Sequence, residues 1–157
     1  MWTYLEQSGV NNASGKLFPR IDDKGRLKIP NAFRALVEEQ HGTALFVTSV
    51  TGESVRIYPM PVWMGVEERL RRMPSTHPAR LRFLDRVNYF GQLGEFDSQG
   101  RVSLPARLRA TAGMAGDVDV LGQVDYLDVW NHERLLAKFD REPFTDDDAR
   151  ALAEFGI

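Results

Sequence analysis

The sequence predicts an α+β fold built from two tandem β-β-α-β-β-α units. Three observations carry that expectation. A 14-residue segment, Ile21 to Arg34, recurs as Phe96 to Arg109, a shift of 75 residues. Five positions are identical (Asp, Gly, Arg, Pro and Arg), and four more exchange one apolar residue for another. Each copy then continues into an apolar stripe at helical spacing and a second pair of alternating segments.

Within each copy the residues dictate the local structure. Asp22-Asp23-Lys24-Gly25 and Asp97-Ser98-Gln99-Gly100 read as tight turns. Aspartate opens a turn by accepting backbone N–H groups, and glycine supplies the positive φ that such turns often need. Arg26-Leu27-Lys28-Ile29 and Arg101-Val102-Ser103-Leu104 follow as short alternating strands. Pro30 and Pro105 fit the first position of a helix, where a missing N–H costs nothing. Ala32, Phe33, Leu36 and Val37 form the stripe of the first helix, and Gly42 is placed to end it.

The second half of each unit matches more loosely. Strands are expected at Ala44–Val47 and Val55–Tyr58, and again at Val118–Leu121 and Tyr126–Trp130. A helix follows each pair, carried by Val62, Trp63, Val66 and Leu70 and by Leu135, Leu136 and Phe139. A further helix is expected near residues 79–88, after the Pro74-Ser75-Thr76-His77-Pro78 break. The resulting division is an N-terminal extension (1–16), a first unit (17–73), a linker with helix (74–91), a second unit (92–139) and an acidic tail (140–157). In the tail, Thr145-Asp146-Asp147-Asp148 reads as the capped start of a short helix, with acids at its positive end. Leu152 and Phe155 either dock on a neighbour or leave the tail mobile, and mobility is the reading preferred from sequence.

Composition excludes several classes. The 157 residues hold no cysteine, which removes disulfide scaffolds, thiolate metal sites and cysteine nucleophiles. No run reaches the ~18 apolar residues of a membrane span, and Met1 to Glu6 lacks a signal peptide's pattern. A cytoplasmic protein without a membrane partner is therefore expected. His41, His77 and His132 are isolated, and no metal-ligand spacing, phosphate loop or nucleophile elbow occurs. No cofactor, metal or enzymatic activity is expected.

The charge is divided. The 20 basic and 22 acidic residues give −2 overall, which taken alone argues against a nucleic-acid ligand. Yet residues 1–110 hold 16 Lys/Arg against 11 Asp/Glu, while residues 111–157 hold 4 against 11. Alternation across the first strand places Lys24, Arg26 and Lys28 on one face and Leu27 and Ile29 on the other. The matching face of the second copy is Gln99, Arg101 and Ser103. A basic two-stranded ribbon of this kind fits the major groove of DNA; solvated surface is the plainer alternative. Asp22 and Asp97 would repel phosphates, so they read as turn-forming residues that orient Arg26 and Arg101.

The duplicated Asp-x-x-Gly-Arg hairpin, each followed by an apolar residue, proline and a short helix, resembles the MraZ family over roughly residues 17–139. Tyr58 to Trp63 and Val129 to Arg134 match the family's habit after the second strand pair. The resemblance implies an AbrB/SpoVT-like swapped-hairpin β-barrel with flanking helices. It implies a transcriptional regulator that binds double-stranded DNA at promoter repeats ahead of a bacterial cell-division and cell-wall operon. It further implies a nucleoid-associated homo-oligomeric ring, an octamer or dodecamer. The family's basic motif residues fall on Lys24 and Arg26, with Gln99 and Arg101 at the matching sites, beside Lys28. Gly25 and Gly100 join Asp22 and Asp97 as structural positions. Family members usually enter the first motif through a His-x-Leu-Asp run close to the terminus; this chain has Leu17-Phe18-Pro19-Arg20-Ile21-Asp22 after a longer polar stretch, the mark of a divergent member. The alternative to a DNA reader is an oligomeric scaffold on the same barrel.

Overall fold

The computed structural model describes residues 19–157. The N-terminal extension, with Leu17 and Phe18 at the entry to the first turn, lies outside the described residues. Among those described, the first unit contains β1 (Arg26–Lys28), α1 (Asn31–His41), β2 (Ala44–Thr48), β3 (Val55–Pro59) and α2 (Met60–Arg71). The connecting helix is α3 (Pro78–Phe90). Then come β4 (Gln92–Glu95), β5 (Arg101–Ser103), α4 (Ala106–Ala112), β6 (Val118–Gly122), β7 (Leu127–Asn131), α5 (His132–Arg141) and α6 (Asp146–Ala153). The β-β-α-β-β-α order is present in both halves, except that the described residues before the first turn form only isolated bridges, Arg20 with Asp117 and Ile21 with Leu27. Pro19 has no N–H to give a ladder there.

All pairing is antiparallel. β1 and β5, one from each unit, form a two-stranded ribbon, while the order β4-β2-β3-β7-β6 makes a five-stranded sheet. The join between units runs through that sheet as well, since β3 pairs with β7. The two repeats therefore share one core rather than building two. Leu27 and Ile29 of the first copy and Val102 and Leu104 of the second are buried with Phe33, Leu108, Val47, Ile57, Val118 and Val129 in a single cluster. Phe33 and Val37, four apart, give α1 its buried stripe, and Leu108 and Ala112 do the same for α4.

Proline sits one residue earlier than the sequence reading placed it. Pro30 and Pro105 are the N-cap residues of α1 and α4, with extended ψ of 136° and 140°. They end the strand and spare a donor at the helix start in one residue. Gly42 ends α1 as expected, at φ 82°, its N–H bonded to the Glu38 carbonyl at 3.2 Å.

The opposite face of β2 and β3 carries a second, aromatic cluster. Trp63 of α2 stacks on Phe46 with centroids 4.5 Å apart, and Tyr58 and Phe83 adjoin it. Thr48 Oγ1 donates to the Val87 carbonyl at 2.7 Å and ties α3 to the sheet. On the other half, α5 starts with the Asn131 side chain accepting from Arg134 N–H. It buries Leu135 and sets Lys138 over the Trp130 ring at 4.8 Å. Among the described residues no helix is long and apolar enough to cross a membrane.

One shared core implies one cooperative transition. Phe33→Ala, at a fully buried position, is expected to cost about 3–5 kcal/mol. Urea unfolding of this variant, followed by tryptophan fluorescence and by far-ultraviolet circular dichroism, should give coincident curves shifted together. Two separable transitions would mean that the repeats fold independently.

Candidate functional site

The site begins with two copies of one turn. In the first, Asp22 Oδ1 accepts the backbone N–H groups of Lys24 and Arg26, both at 2.9 Å, while Oδ2 accepts from Arg26 Nε at 2.8 Å. In the second, Asp97 Oδ1 accepts from Gln99 N–H at 2.8 Å and Arg101 N–H at 2.9 Å, and Oδ2 from Arg101 Nε at 2.7 Å. Gly25 and Gly100 close the turns at φ 77° and 75°, their N–H groups bonded to the carbonyls of Asp22 and Asp97. One carboxylate thus shapes the loop with one oxygen and fixes an arginine with the other.

The turns are interlocked. The register pairs Arg26 with Ser103, Leu27 with Val102 and Lys28 with Arg101. Beyond the ladder, Leu104 N–H reaches the Gly25 carbonyl at 2.9 Å and Ile29 N–H the Gly100 carbonyl at 3.0 Å. Each turn is also covered by an arginine from the other unit's helix. A Cβ placed on Gly25 would lie 2.4 Å from Arg109 Cζ, and one on Gly100 would lie 2.7 Å from Arg34 Cδ. Glycine is required at both positions by φ, and a Cβ there would also push the covering arginine aside.

Residues directly opposed across an antiparallel pair share a face. Arg26, Lys28, Arg101 and Ser103 therefore line one side of the ribbon, with Lys24 and Gln99 in the adjoining turns. Lys24, Lys28, Gln99 and Ser103 are exposed and the two arginines half-buried, while Leu27 and Val102 on the reverse side are fully buried. The Lys28 ammonium donates to the Gln99 carbonyl and so joins the strand of one unit to the turn of the other.

The electrostatics are specific. The Arg101 backbone N–H is the largest influence on Asp97 and holds its carboxyl down to about 2; the Arg101 side chain and the Gln99 N–H act in the same direction against a partial desolvation. Asp22 is lowered by the equivalent bonds from Arg26 and Lys24. Both carboxylates stay ionised and neutralise the arginines they hold, which leaves Lys24 and Lys28 as the ribbon's cations without an acidic ion-pair partner among the described residues.

The structure brings together all of the residues singled out from the repeat. It adds Arg34 and Arg109, which the sequence reading did not assign. The signal was present: they are the fifth identity of the repeat. Their role was hidden because each contacts the other copy, Arg109 at 84 and Arg34 at 66 residues' distance in sequence. The remaining candidates stand apart. Arg71 pairs with Glu68 at 3.0 Å, as the adjacent acids suggested. His77 caps α3 by accepting from Ala79 N–H, and His132 opens α5 with its Nδ1 2.8 Å from Asp119 Oδ2.

Comparison with known proteins gives a consistent result. The family described as "MraZ protein, putative antitoxin-like" matches residues 13–86 and 92–155, one match over each repeat. A protein of Acidobacterium capsulatum named "Transcriptional regulator MraZ" is 48% identical over 138 residues, 88% of this chain and 94% of that protein. A protein of Koribacter versatilis with the same name is 42% identical over 139 residues, 88% and 95% of the two chains. One of Deinococcus radiodurans, also so named, is 40% identical over 127 residues, 78% and 86% of the two.

Two outcomes follow from the turn geometry. A carboxyl with a folded pKa below its unfolded value stabilises above the unfolded pKa and loses that contribution as pH falls toward the folded one. Stability is therefore expected to drop between about pH 4 and pH 2, and Asp97→Asn should flatten part of that drop in acid titrations followed by circular dichroism. Gly25→Ala should lose at least about 1–2 kcal/mol through the left-handed backbone alone. Combined with Arg109→Ala, the loss should be less than additive in denaturant titrations, because the clash is removed.

Proposed function

The chain belongs to the MraZ family, and from that membership we propose that it is a DNA-binding transcriptional regulator whose paired-turn ribbon enters the major groove. The observation that carries the reading is the ribbon face lined by Arg26, Lys28 and Arg101, with Lys24 and Gln99 exposed in the turns beside it. A two-stranded ribbon has the width to enter a groove of about 12 Å. Lysine at 24 and 28 supplies flexible contacts to phosphate. Arg26 and Arg101 are held through Nε, so their planes are set before DNA arrives. Such preorganisation lowers the ordering cost of binding. Asp22 and Asp97 act as positioning residues.

The local charge sets how binding must work. Two arginines already face carboxylates, so each copy offers only modest attraction to phosphate. Useful affinity then comes from several copies engaging repeated boxes at once. This fits a homo-oligomeric ring, octamer or dodecamer, on promoter repeats ahead of a bacterial cell-division and cell-wall operon. A cytoplasmic, nucleoid-associated protein with no cofactor completes the reading.

The test is fluorescence anisotropy with a duplex carrying the repeated boxes upstream of the gene. Wild-type affinity should fall linearly in log salt, the mark of phosphate neutralisation. Arg26→Ala should weaken binding about tenfold or more with oligomeric mass unchanged, and Lys24→Ala should reduce the salt slope by about 1. Wild-type binding by Arg26→Ala would remove that residue from the interface. No salt-dependent binding by the wild type would favour a scaffold on the same fold.

A further inference from the structure

The helical layers of the two halves differ in one respect. In the first half both α2 and α3 pack on the sheet and bury Trp63 and Val87. In the second half α5 packs through Leu135, but every residue from 139 to 157 is exposed, α6 included. Of the eleven exposed large apolar residues among those described, six lie in this segment and the end of α5: Leu136, Phe139, Phe144, Leu152, Phe155 and Ile157. An eight-residue helix that buries nothing is marginal in water, since isolated helices need about 12–15 residues to persist. Yet α6 carries a complete capping box between Thr145 and Asp148 and three acids in its first turn. Its start is built to be helical, and its apolar side lacks a cover.

A surface of opposite character lies on the other half. Between α2 and α3 runs a groove of about 320 Å³ with Val66, Leu70, Met73 and Phe83 along its floor and Arg69 and Arg80 beside them. Residues 66–86 around it hold six arginines against three acids, whereas residues 140–157 hold six acids against two arginines. Asp148 and Leu152, four apart, fall on one side of α6, and Phe155 follows two residues beyond its end. One acid and one apolar residue of the helix thus face the same way, with a second apolar residue just past its end, to suit a groove lined by apolar and cationic side chains.

We propose that α6 of one copy docks into the α2–α3 groove of the next copy, Leu152 and Phe155 against the apolar lining and Asp148 toward Arg69 and Arg80. The inference rests on the ring reading above and names its joint. Groove and helix are different surfaces on opposite halves of one chain, so the contact is head-to-tail, and a head-to-tail contact that closes makes a ring. It also gives the division of charge along the sequence a purpose: the basic half of one copy meets the acidic end of another.

The experiment is light scattering coupled to size exclusion on the full chain. L152D/F155D substitutes exposed side chains, so the fold should persist by circular dichroism while the mass falls to that of single chains, 17.8 kDa. R69E/R80E should do the same from the other side. Mixed together, the two variants retain one intact groove and one intact helix between them, and a species of two chains should appear. A wild-type-sized ring in L152D/F155D overturns the docking while leaving the ring reading intact. A monomeric wild type overturns both, and failure of the mixture to pair overturns the head-to-tail contact.

Discussion

The structure depends on an exchange between two turns. Gly25 and Gly100 each give their carbonyl to the other unit's strand, and each lies under the other unit's arginine. Neither turn is complete by itself. Without the second copy, Leu27 and Ile29 would have no Val102 and Leu104 to bury against, and the Gly25 carbonyl would lose the N–H that satisfies it. Buried backbone groups must be paired, so each half leaves groups that its duplicate satisfies. The five-stranded sheet then carries the same union around the back, through β3 and β7.

That exchange also makes the exposed face. Pairing β1 with β5 places side chains from positions 73 and 77 residues apart side by side on the exposed face, and places them there rigidly because the reverse side is core. Aspartate at the head of each turn links shape to charge: the same carboxylate that folds the loop holds the arginine. The outcome is a face with ordered donors and little net charge. Such a face favours selective contact over indiscriminate attraction to polyanions.

Much of this was legible in the sequence, for physical reasons that can be named. The alternation Arg26-Leu27-Lys28-Ile29 fixed which side chains share a face, because period 2 is a property of any strand. Asp22 and Gly25 announced the turn, because few residues accept its backbone angles. The pairing of β1 with β5 was not legible, since strand pairing is non-local and nothing in either segment names the other; the family resemblance implied only a swapped-hairpin barrel. Arg34 and Arg109 stayed silent for the same reason: the repeat marked them, but their contact crosses between copies. Pro30 and Pro105 were placed one residue late, because both the cap and the first helical position tolerate a missing N–H. The tail was read correctly as a capped helix, and its exposure depends on packing that no local pattern encodes.

The ribbon's symmetry is close but broken. Lys24 and Lys28 in one half stand where Gln99 and Ser103 stand in the other. A protein assembled from two identical short chains would be obliged to present the same residues twice, and its target would be bound to read alike on both strands. Joining the halves in one polypeptide releases that obligation. Each half can drift under its own selection while the glycine–arginine exchange keeps the frame, so the ribbon acquires a left and a right end. A surface with distinguishable ends can tell one orientation of its target from the reverse.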